Sequence, residues 1–174
     1  MSAKGMMRGL WSLVVCCTLG GLSEATLAKE RRVDSARCKE IAARIVERTN
    51  ARFDHFSPSG TGVFFDRPRF VLSCTSYRLT GVSLTWDNAF PPNSWFEILA
   101  RGGEAVTGSP ANTLETASRK CYKSALRSKD GAEELDIPNV AKIECSAFTQ
   151  NGGGVVIHIW VNDHEARKGI EDPS

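Results

Sequence analysis

The chain has 174 residues, with 22 Lys+Arg against 20 Asp+Glu, three histidines and a formal net charge of +2. That near-balance excludes nucleic acid and anionic membrane surfaces as partners recruited by charge, because both call for a strongly basic face. Short basic clusters such as Arg31-Arg32 and Arg67-Pro68-Arg69 are flanked by acids and read as solvated surface.

Residues 1–28 have the order of a secretory signal peptide. Lys4 and Arg8 form a positive start, the uncharged stretch from Leu10 to Leu22 follows, and small residues then stand at cleavage spacing, ending at Ala25 or Ala28. A membrane-spanning helix needs about 20 apolar residues, so this run is too short to anchor the chain. Gly20 and Gly21 argue against a buried N-terminal helix. Cys16 and Cys17 lie inside the apolar run and leave with it. Neither Val15 nor Cys16 is the small residue that lipid attachment needs before the cysteine. Loss of Lys4, Arg8 and Glu24 leaves 20 basic and 19 acidic residues, a charge of +1. The expected organisation is a leader over 1–28 and one globular domain over 29–174, with a polar tail from about 162.

Cys38, Cys74, Cys121 and Cys145 remain. An even count in an exported chain implies disulfides. No C-x-x-C pair supports a zinc site, and no cysteine is left over for a catalytic thiol.

Residues 34–53 have helical period. Cys38, Ile41, Ala42, Ile45, Thr49 and Phe53 fall on one stripe, with Asp34 or Ser35 as N-cap. His55 then stands at the expected end of this helix, where a cationic side chain suits the dipole. Three strands follow, at 62–65, 69–74 and 81–87. In the second, Phe70, Leu72 and Cys74 share a face; in the third, Val82, Leu84 and Trp86 do. Residues 91–108 predict a helix opened by a capping box, Ser94 with Glu97. Gly102-Gly103 marks a kink, an end or a close backbone contact. A phosphate cradle is rejected, because no strand precedes the pair and no Lys-Ser/Thr follows it. Asn112 with Glu115 predicts the start of a helix over 113–129, with Leu114, Ala117, Cys121 and Ala125 inward. The stretch 128–139 reads as a polar loop. Two strands close the chain, within 139–150 and at 155–161, joined by a hairpin turn in "QNGGG".

The resulting order, α-β-β-β-α-α-β-β, predicts an α+β fold with an antiparallel sheet packed against helices. Every mature cysteine falls on the inward face of its element. Joining an inward helix position to an inward strand position within each half of the chain predicts Cys38–Cys74 and Cys121–Cys145.

No complete catalytic constellation emerges. There is no G-x-S-x-G elbow. Glu133-Glu134 and Glu171-Asp172 lie in polar stretches and serve solubility. Asp163, His164 and Glu165 lack a helical i, i+4 spacing for a metal. No catalytic residue, metal site or cofactor is therefore assigned. The last strand carries the most information. Val155, Ile157, Ile159 and Val161 form one apolar face, while Val156, His158 and Trp160 occupy the other. Either this strand is central and buried on both faces with His158 hydrogen-bonded inside, or His158, Trp160 and Phe148 form an exposed platform. The expectation is the platform: an exported, periplasmic or secreted, binding or accessory protein using an open sheet face for a protein, a peptide or a second copy. The alternative is a small hydrolase or metal-dependent enzyme built on His158, His164 and Asp163.

Overall fold

The first helix, α1 (Ala36–Thr49), buries Cys38, Ile41, Ala42, Ile45 and Thr49, the stripe its periodicity predicts. It stops before Phe53. The Thr49 hydroxyl accepts a hydrogen bond from the Ala51 N–H at 3.2 Å, and Asn50 takes a left-handed φ of 56°. Asn50 N–H still bonds the Val46 carbonyl at 2.9 Å, so the helix is closed there by an asparagine in the conformation that commonly ends helices. Phe53 and His55 therefore belong to a strand, and His55 has no helix end to serve.

The protein is described here from a computed structural model over residues 36–75 and 80–162. The proposed leader, its cleavage site and the polar tail from Asp163 onward lie outside those residues. The strands are β1 (Arg52–Phe56), β2 (Gly62–Asp66), β3 (Phe70–Cys74) and β4 (Thr80–Trp86), then β5 (Ala132–Ile137), β6 (Ala141–Phe148) and β7 (Gly154–Val161). They form one antiparallel sheet in the order β1-β2-β3-β4-β7-β6-β5. Two meanders thus meet where β4 pairs with β7. The expected α+β class and element order hold, and two strands are added at the two edges. Neither alternates in polarity: all five residues of β1 are exposed, and β5 is half acidic and mostly exposed, so 52–56 resembles a helix end and 132–137 a polar loop. An edge strand buries too little to leave a period-two signature.

Helices α2 (Asn93–Thr107) and α3 (Ala111–Ala125) are not opened by the predicted caps. Pro92 and Pro110 hold the N-cap positions without any side-chain cap, and Ser94 and Asn112 lie inside the first turns. Proline's fixed φ orders the chain at a helix start without a side-chain oxygen. Asn93, the first residue of α2, instead accepts two hydrogen bonds from the Arg119 guanidinium of α3, at 2.9 and 3.0 Å.

The core lies between the helices and one face of the sheet, where Phe70, Leu72, Leu84, Ile143, Ile157 and Ile159 are fully buried. Gly102 and Gly103 mark neither a kink nor an end. A Cβ on Gly102 would stand 2.9 Å from the Phe70 ring, and one on Gly103 2.7 Å from Ile159 Cδ1. The pair lets α2 approach β3 and β7 closely. Cys38–Cys74 ties α1 to β3 and Cys121–Cys145 ties α3 to β6, with Cα separations of 6.1 and 6.0 Å. Disulfides persist in oxidising compartments, and among the described residues no helix is long and apolar enough to cross a membrane.

Candidate functional site

Strand β7 has a hydrogen-bonded neighbour on each side, so its backbone is consumed by the ladder and only its side chains are available for chemistry. Val155, Ile157 and Ile159 enter the core, while Val156, His158 and Trp160 point to the face on which none of the described helices packs. His158 and Trp160 are half-buried, and their rings stack at 5.8 Å with planes 10° apart. Strand β7 is thus near the centre of the sheet but, among the described residues, covered on one side only.

Two partners hold the indole. Trp160 lies across Gly81 of β4, its register partner, so closely that a Cβ there would fall 2.3 Å from Cε3. Its Nε1–H donates to Glu144 Oε2 at 2.9 Å. Glu144 Oε1 meets Lys142 Nζ at 3.1 Å, and the same ammonium reaches Glu134 Oε2 at 2.9 Å. Two carboxylates share one ammonium, so this cluster carries one net negative charge.

Burial pushes the Glu144 carboxyl up, yet the Trp160 N–H and the Lys142 ammonium together hold it below its ordinary value. The two carboxylates raise Lys142. Burial lowers His158, with Glu144 opposing in part. At neutral pH the cluster is a neutral imidazole beside an anchored carboxylate.

Successive registers place His55, Phe64, Val71, Ser83, His158, Glu144 and Glu134 in one row across all seven strands. Ser83, His158 and Glu144 are the residue types of an acyl-transfer triad, a juxtaposition invisible before strand order is known. The required bonds are missing: none joins Ser83 to His158 or His158 to Glu144, whose two oxygens are taken by Trp160 and Lys142. The main cavities are lined by other residues. Among the described residues, no three His, Cys, Asp or Glu side chains gather to hold a metal. Asp163 and His164 of the alternative enzyme site lie outside the described residues.

Phe148 shares this face and is 50% exposed, but it sits four residues from Glu144 along β6 and packs over Gly154. It stands apart from the pair. At the far end of the row a second imidazole is stacked: His55 lies 4.7 Å from Phe64, with its Nδ1 2.9 Å from Asp54 Oδ2. Comparison with protein-family models, curated proteins and solved structures finds no match for the chain.

Proposed function

We propose that this is an exported binding or accessory protein, periplasmic or secreted, whose open sheet face receives a protein or peptide partner or a second copy of itself. The observation that carries the proposal is the half-buried His158–Trp160 stack on a face that no described element covers. A shallow aromatic surface suits association, whereas chemistry calls for a concave site with converging groups. The two disulfides fit export.

Trp160 is the anchor of this surface. An aromatic anchor at an interface centre costs at least about 2 kcal/mol of binding when truncated. The ring is only partly buried, so Trp160→Ala should cost less than the roughly 3–5 kcal/mol of truncating a fully buried tryptophan. The test measures two quantities on the mature protein and on Trp160→Ala. Association is read by light scattering and by capture from envelope extract, and stability by thermal melting. Loss of association with a small change in Tm supports the proposal. A large fall in Tm with no separate loss of association rejects it.

A further inference from the structure

On the helix side of the sheet, away from His158 and Trp160, a groove of about 250 Å³ runs between α1 and β1. One wall is a helical stripe, Lys39, Ala42, Ala43 and Val46, whose two alanines create the hollow. The other wall is Phe53 and Phe56, over a floor of buried Phe65.

The aromatic wall depends on a backbone irregularity. Residues three apart on a regular strand face opposite ways. The register of β1 against β2 shifts between Phe53 and His55, leaving Asp54 as the extra residue, so Phe53 and Phe56 both face the helix side, opposite Phe65 and Val63. Bulges commonly re-aim side chains next to binding sites. The two rings are 5.2 Å apart and remain 44% and 40% exposed, with Val46 at 37%. Surrounding charges are paired: Arg44 with Glu40, Arg48 with Glu104, and Arg52 with Asp66. Lys39, at the N-terminal end of the stripe, has no carboxylate partner among the described residues.

We infer that this groove binds a single-chain anionic amphiphile, its alkyl chain between the phenylalanines and the alanines and its carboxylate at Lys39. The stripe from Lys39 to Val46 is roughly 10 Å long at helical rise, the length of a medium alkyl chain. A peptide fits less well, because the lining offers no hydrogen-bonding side chain besides the ammonium and buried amides need partners. A second copy needs about 800 Å² per partner, and ion pairs ring this narrow strip.

The test uses decanoate and decyltrimethylammonium as probes on the mature protein, followed by amide chemical shifts and calorimetry at low salt. Decanoate is expected to shift the amides of residues 39–56 saturably and to bind about tenfold more tightly than the cationic chain. Lys39→Gln should weaken decanoate about threefold. Ala43→Leu, at an exposed helix position, should fill the groove and abolish the shifts while leaving Tm unchanged. Equal binding of both probes, shifts elsewhere, or persistence in Ala43→Leu overturns the inference. So does groove-dependent dimerisation, or binding to anionic vesicles, in the absence of decanoate binding.

Discussion

Gly81→Ala is the most direct probe of how the open face is built. A methyl group at this position would stand 2.3 Å from Trp160 Cε3, 2.8 Å from Cδ2 and 2.9 Å from the Ile159 carbonyl oxygen. The indole must leave its seat, giving up the Nε1–H bond to Glu144. Overpacking of this kind costs about 1–3 kcal/mol, against which alanine regains about 0.5–1 kcal/mol over glycine in a strand. With about 1 kcal/mol more for the lost bond to the carboxylate, the net expected loss is about 2 kcal/mol, or roughly 4–8 °C in Tm for a chain of this size. The decisive experiment is the double-mutant cycle of Gly81→Ala and Trp160→Ala by urea unfolding. With the indole gone, the two closest contacts vanish while the Ile159 carbonyl contact at 2.9 Å persists, so the second cost should shrink to about 1 kcal/mol or less and the coupling energy should exceed about 1 kcal/mol. Additive effects, within about 0.5 kcal/mol, would refute the packing of Trp160 on Gly81.

Gly102→Ala should destabilise the protein by about 1–2 kcal/mol in thermal melts, although alanine is normally worth about 1 kcal/mol over glycine in a helix. Its Cβ meets the rigid, fully buried Phe70 ring at 2.9 Å. Non-reducing peptide maps should recover Cys38 with Cys74 and Cys121 with Cys145. Removing each pair should cost about 4 and about 3.5 kcal/mol in urea melts, from loops of 36 and 24 residues. Because burial holds His158 below the 6.5 of an exposed imidazole, the unfolded chain takes up its proton first on acidification. The stability this group contributes is complete above pH 6.5 and declines below it, so urea midpoints should fall from pH 7 to pH 5, and His158→Gln should flatten that fall.

The legible part of this protein was whatever a local face reports. Cys38, Ile41, Ala42 and Ile45 recur at helical spacing because α1 buries one stripe, and β3, β4, β6 and β7 alternate because the sheet is covered on one side. All four cysteines could be placed on inward faces, but that leaves three pairings open; the expected one rested on grouping within each half of the chain, and the structure has it. The edge strands were not legible, because β1 and β5 bury too little for burial to shape their sequences. The helix starts were misplaced because a serine or asparagine in the first turn resembles a cap, while the preceding proline orders the chain. The site itself belonged to tertiary structure. His158 and Trp160 could be named from one strand, but Gly81, Ser83 and Glu144 join them only because β7 lies between β4 and β6. No local period encodes which distant strands become neighbours; that choice is settled by packing of the whole sheet against α1, α2 and α3.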